Sequence, residues 1–206
     1  PAPPETYTLS LHDALPILAA APVLDGNLDE PCWRLDQAVT GAPPAKAASF
    51  GAVWVPNRDW RKGGTVYVGV KVDDGAAGPG PGDAVHLYLD GMHNRETMYN
   101  QDDTHFVIRR DGKSESVRGK PNWFLKAAAR EADGGWTLEI AVPHNYFVGA
   151  GAWIDMAPRA VYGFDLAVGS GADGSSRSYW RGSAANDEDT SGFGSLVLGG
   201  AEETTR

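Results

Sequence analysis

The chain has 206 residues, 42% of them hydrophobic, a formal net charge of −9 and one cysteine, Cys32. That length supports one sizeable core, and the charge disfavours nucleic acid and anionic lipid as general partners. A single cysteine excludes an internal disulfide and a thiolate zinc cluster, and no apolar run is long enough to span a bilayer.

In chain order, the first feature is Tyr7 to Ile17 (YTLSLHDALPI), which is similar to one translated frame of a common short-read sequencing adaptor. Residues 1–17 are therefore expected to be an artefactual or disordered leader, and on that reading the native N-terminus lies outside this chain. One domain is expected over 18–200, with 201–206 a polar tail or the start of a linker.

The acid-rich stretch VLDGNLDEPCW (23–33) raises the question of whether its carboxylates do chemistry or only start a fold. Asp25-Gly26 reads as a turn. Asp29 reads as the cap of a short helix with Pro31 in its first turn, and Trp33 as the plug at the end of the core.

From there the chain reads as strands. Thr65 to Asp73 (TVYVGVKVD) alternates Val66, Val68, Val70 and Val72 with Tyr67, Gly69 and Lys71, a period of two. Ala84 to Asp90 sets Val85, Leu87 and Leu89 against His86, Tyr88 and Asp90, and Thr104 to Arg109 sets Phe106 and Ile108 against His105, Val107 and Arg109. Trp136 to Val142 turns Trp136, Leu138, Ile140 and Val142 inward. Tyr162 to Val168 buries Tyr162, Phe164, Leu166 and Val168 and exposes Gly163, Asp165 and Ala167, and Ser195 to Leu198 closes the series. GAAGPGPGD (75–83) and GSGADGSSRS (169–178) read as turns between strands. The expectation is an all-β fold: an antiparallel two-sheet β-sandwich, jelly-roll or immunoglobulin-like, with one or two short helices after Asp29 and near Asn145.

Chemical motifs are sparse. There is no nucleophile elbow, phosphate loop or paired-histidine helix. His86 and His105 stand out because each sits mid-strand on the polar side of the alternation. The carboxylate runs Asp73-Asp74, Asp102-Asp103 and Asp187-Glu188-Asp189 fall at strand ends and in loops, where turn formation and calcium binding explain them better than glycoside hydrolysis. Met98 with His86 or His105 is thinkable as a pair of heme ligands, yet nothing in their spacing demands it. Trp54, Trp60, Trp123 and Trp180 do not all fit core positions, and a pyranose face stacks on indole.

Six segments in order carry a resemblance: V-x-DGNLDE-x-x-W, TVYVGVKVDD, GDAVHLYLD with MYNQDDTHFVI, GGWTLEIAVP, YGFDLAV and FGSLVL. Together, over Pro22 to Gly199, they resemble the family 9 carbohydrate-binding module, a sandwich related to DOMON-like domains. The resemblance implies a non-catalytic, calcium-containing module of a larger, secreted carbohydrate-active or cell-surface protein. It places the chain outside the cell, in the periplasm or on the cell surface, with other domains of its parent and a saccharide as partners.

Family members that bind sugar hold it between two tryptophans, and those places align here with Gly80 and Asp187. Their polar contacts align with His86, Val107, Ala167 and Ala184, so the site is altered. If sugar is still bound on that face, His86, Tyr88, His105, Arg109 and Asp165 project together, with Trp180 or Trp60 as the stacking platform. The implied calcium would draw on Asp73, Asp74, Asp102 and Asp103. The alternative is a degenerate sandwich serving as a structural or protein-interaction domain without sugar binding.

Overall fold

Strands with one apolar side need a second sheet to cover it, and this chain supplies two sheets whose inner faces meet. The computed structural model describes residues 14–40, 46–57, 63–75, 78–147, 156–171 and 174–200. Its strands are β1 (Ala14–Leu15), β2 (Gln37–Val39), β3 (Ala47–Pro56), β4 (Gly64–Asp73), β5 (Ala84–Asp90) and β6 (Asp103–Arg109), followed by β7 (Ser114–Gly119), β8 (Lys126–Ala132), β9 (Gly135–Pro143), β10 (Val161–Ser170), β11 (Ser176–Tyr179) and β12 (Gly194–Leu198). Sheet I runs β1-β12-β10-β5-β6-β7, with β11 also on β10. Sheet II runs β2-β3-β4-β9-β8. Every pairing is antiparallel except that of β1 with β12.

The inward residues are those the alternation marks. Val66, Val68, Val70 and Val72 of β4 and Trp136, Leu138, Ile140 and Val142 of β9 face Val85, Leu87 and Leu89 of β5, Phe106 and Ile108 of β6, and Phe164 and Leu166 of β10 in one buried cluster. Each such side chain contributes about 1.5–3 kcal/mol by leaving water. The short helix near Asn145 is a 3₁₀ turn, His144–Tyr146.

Several expectations change. After Asp29 there is no helix. Trp33 N–H donates to the Glu30 carbonyl at 3.1 Å, closing a single turn with Pro31 at its second position, the place that favours proline in a β-turn. Trp33 does not plug the sandwich end. It lies half-buried on the outer face of sheet II, where a Cβ on Gly69 would come within 2.8 Å of its ring. The outer faces are also less exposed than alternation implies. Glu139 of β9 is fully buried because its Oε2 accepts the Asp25 and Gly26 N–H groups at 2.9 and 2.8 Å. Gly26 has φ +81°, and a Cβ there would lie 2.8 Å from the Ala129 carbonyl carbon, so the DGN turn seats only with glycine.

The last residues of the expected leader take part in the sheets. Ala14–Leu15 pairs with β12, and Ile17 bridges to Trp54. Backbone pairing reads no side-chain sequence, so four residues of any apolar stretch could seat there, whatever the origin of the string. Residues 1–13 and the tail 201–206 lie outside the described residues.

Candidate functional site

The register of sheet I assembles one face from residues scattered over 100 positions. Across the sheet, Asp165 of β10 stands opposite Tyr88, Tyr88 opposite His105, and His105 opposite Arg118 of β7. The next row is Tyr179, Ala167, His86, Val107 and Glu115, and the row beyond holds Arg177, Gly169, Ala84 and Arg109. In the other direction Asp90 pairs with Asp103. All of these are outward positions, because side chains alternate with a period of two.

Half of this face is roofed and half is open. The segment after β11 folds back, and Phe193 packs on Tyr88 and Ala167. Asp165 is the latch: its Oδ1 accepts Arg181 N–H at 3.0 Å, and its Oδ2 accepts Gly182 N–H at 2.8 Å and the Asn186 amide. The following 3₁₀ turn, Ala184–Asp187, starts from a capping box at Ser183 and carries Asp187 over the sheet. What remains open is a groove of about 450 Å³ with His86, His105 and Val107 on its floor.

Within the groove, His86 Nδ1 and His105 Nε2 share a hydrogen bond at 3.0 Å, and the His105 ring stacks on Tyr88 at 4.2 Å. Tyr88 Oη donates to Asp187 Oδ1 at 3.0 Å, and Arg177 donates to both Asp187 oxygens at 2.7 Å. Burial, reinforced by Arg177, pushes His86 down to about 3. Burial likewise pushes His105 down to about 4, although the Asp187 charge opposes it. Both rings are therefore neutral near pH 7, and beyond their shared hydrogen bond the pair keeps one ring N–H and one lone pair instead of a charge. For Asp187 burial acts upward, but the Arg177 guanidinium outweighs it and holds the carboxyl below its ordinary value. The walls add Arg109 with Glu115 at 2.7 Å and Arg118 with Glu188 at 2.9 Å.

Of the residues singled out from sequence, His86, His105 and Arg109 line this groove, and Tyr88 lies fully buried beside them. Asp165 shares the face but is not exposed; its carboxylate is consumed by the latch. Trp180 offers no platform, because its ring points to the core side, edge-on to Phe50 at 5.4 Å. Trp60 lies outside the described residues. Sequence reasoning missed Arg177, Arg118 and Glu115, and named Asp187 only as a loop acid and as the place aligned with a stacking tryptophan. Arg177 was hidden in a run read as a turn, although the alternation of Ser176, Arg177, Ser178 and Tyr179 is itself a weak strand signal.

The metal set changes too. Asp74 is ion-paired to Lys46 at 2.6 Å and Arg110 at 2.8 Å, and Asp73 is exposed and accepts Gly75 N–H at 2.8 Å; neither belongs to the carboxylate cluster found among the described residues. Asp102 and Asp103 instead converge with Asp90, all buried, with ligand atoms within 4.8 Å of one another. Asp90 accepts the N–H groups of Met92, Asn94 and Arg95, while Asp103 Oδ1 is buried without a hydrogen-bond partner. Burial, with Asp90 and Asp102 alongside, raises Asp103 to about 7. Buried oxygen donors with an orphaned oxygen fit a hard cation such as calcium.

Comparisons with known proteins agree with this architecture. A family model described as "Carbohydrate family 9 binding domain-like" matches residues 24–201. Endo-1,4-beta-xylanase C of Paenibacillus barcinonensis is 30% identical over 200 residues, covering 88% of this chain and 17% of that protein. Exoglucanase XynX of Acetivibrio thermocellus is 27% identical, covering 87% of this chain and 16% of that protein. The chain thus spans less than a fifth of these relatives. Among solved structures, a family 9 carbohydrate binding module from Caldicellulosiruptor kristjanssonii in complex with glucose aligns at TM-score 0.66 and 20% identity, covering 91% of this chain and 95% of that one. The same module in complex with cellotriose aligns at TM-score 0.66 and 17% identity, covering 94% of this chain and 96% of that one. At these identities the solved structures speak for the fold.

Proposed function

The chain belongs to the carbohydrate family 9 binding domain-like family, and on that premise we propose that it is a non-catalytic saccharide-binding module of a larger extracellular, periplasmic or cell-surface protein. The observation that carries this reading is the polar groove on the outer face of sheet I, with neutral His86 and His105 on its floor and arginine–carboxylate pairs as walls. Sugar hydroxyls both donate and accept, and neutral imidazoles beside guanidinium and carboxylate groups present both functions. On this reading the site is altered relative to a tryptophan sandwich, whose two ring positions align with Gly80 and Asp187, and Asp187 lines the groove bound to Arg177. Isothermal titration with mono- and oligosaccharides is expected to give saturable heat at millimolar concentration. No heat with any sugar would leave the degenerate structural or protein-interaction module, which the missing aromatic platform favours.

Asp90, Asp102 and Asp103 would hold a structural calcium, which would supply the positive charge their buried carboxylates call for. The surrounding backbone N–H groups of Met92, Asn94, Arg95 and Asn100 orient those carboxylates. Calcium at a hundredfold excess over its dissociation constant is expected to raise stability by about 2.7 kcal/mol, seen as a higher melting midpoint that a chelator reverses. An identical midpoint with calcium and with chelator would remove the metal from the account.

A further inference from the structure

Resting on the saccharide reading above, we propose that the groove selects saccharides bearing a carboxylate, uronic acid residues, which dock on its arginines. Three guanidinium groups, Arg109, Arg118 and Arg177, converge on one groove from three different segments. Among the described residues no tryptophan, tyrosine or phenylalanine lines it, and its walls carry arginine and carboxylate side chains.

Two donor nitrogens at the buried side lack a partner, and the lone pair on His86 Nε2 is the acceptor left beside them. Arg177 Nε is buried without a partner, and so is His105 Nδ1. The Asp187 carboxylate 3.8 Å from Nδ1 favours placing the proton there, with His86 donating to His105 Nε2. The Asp187 oxygens are already taken by Arg177 and Tyr88. A carboxylate on a bound sugar meets the guanidinium groups lining the groove in a bidentate, charge-assisted pair, and a sugar hydroxyl donates to the His86 Nε2 lone pair.

The acids in the walls do not block this. Glu115 and Glu188 have side chains 54% and 73% exposed, so their pairs with Arg109 and Arg118 contribute little and exchange readily for a ligand carboxylate. The remainder of the net charge of −9 acts weakly beyond about 8 Å at physiological salt.

The test is titration of the full chain with methyl glucuronoside, methyl glucoside and glutarate, each at low and high salt. The expected result is a preference of about tenfold or more for the uronoside, weakening as salt rises, with glutarate poor. Arg118→Met is expected to abolish that preference with an unchanged melting midpoint, because Arg118 is a half-exposed wall residue. Equal binding of glucoside and glucuronoside would overturn the acidic-sugar inference and leave the saccharide reading standing. Glutarate binding as well as the uronoside would show a plain carboxylate site and overturn it. Binding of neither pyranoside would remove both readings together.

Discussion

Lys46→Met is expected to destabilise the fold by about 3–5 kcal/mol. Lys46 sits just before β3 in sheet II and bonds Asp74 at 2.6 Å and Asp83 at 2.7 Å. Asp83 lies just before β5 in sheet I, so the ammonium ties the two sheets together at one end of the sandwich. Arg110, after β6, joins the same carboxylates at 2.8 and 3.0 Å and reaches Glu131 of β8. The side chains of Lys46 and Asp83 are 3% and 1% exposed, so water cannot replace a lost partner. Methionine keeps the apolar stem of the lysine and removes only the charge, which leaves two buried carboxylates sharing one guanidinium.

The measurement is the urea midpoint at pH 7, and a loss below about 1 kcal/mol would show the network to be no more than a surface ion pair. The double variant Lys46→Met with Asp83→Asn is expected to recover part of the loss, because the two positions are in direct contact and their effects do not add. Full additivity would contradict the coupling.

The second expected result is an acid loss of stability carried by the groove histidines. Both have folded-state values below the unfolded 6.5, His86 at about 3 and His105 at about 4, so the unfolded chain binds protons that the folded chain refuses. A lowered histidine leaves stability intact above pH 6.5. It removes stability as pH falls toward the folded value, on the order of 3 to 5 kcal/mol per ring at the limit. Asp103, raised to about 7, acts with the opposite sign, since its neutral form is the one the fold prefers. The histidine contribution is therefore read as a difference: at fixed calcium, His105→Gln is expected to flatten the loss between pH 6.5 and 4 relative to the parent. Parallel stability profiles for parent and variant would sink the assignment.

Much of the fold was legible because apolar alternation is a local property of the chain. Val66 to Val72 and Trp136 to Val142 name their inward faces without reference to any other segment. β8 (KAAAREA) carried no such signal. Its alanine, lysine and glutamate suit a helix at least as well, and it is a strand because β9 offers an edge to pair with. β11 was hidden for a related reason: four polar residues in a glycine-rich run become a strand only when β10 extends beyond β12 to receive them.

The acid-rich opening stretch divides in the same way. That Asp25-Gly26 turns was readable from the residues, but that the turn docks on a buried Glu139 was not, because the two are 113 or 114 positions apart. The groove shows the same limit. His86, His105 and Arg109 could be placed on one polar face by counting in twos. Arg177 joins them only because β11 pairs with β10, and Asp187 only because the latch at Asp165 folds the chain back over the sheet.

By itself, then, the sequence determined which side chains face the core, the two-sheet architecture and the family, since these follow from short-range periodicity and from motifs in order. Only the tertiary structure decided which polar residues meet. It put Asp90 with Asp102 and Asp103, turned Trp180 inward, and gave each arginine of the groove its acid. The physical reason is that burial and pairing of charged groups depend on strand register and on loops that fold back, and neither is encoded within any one segment.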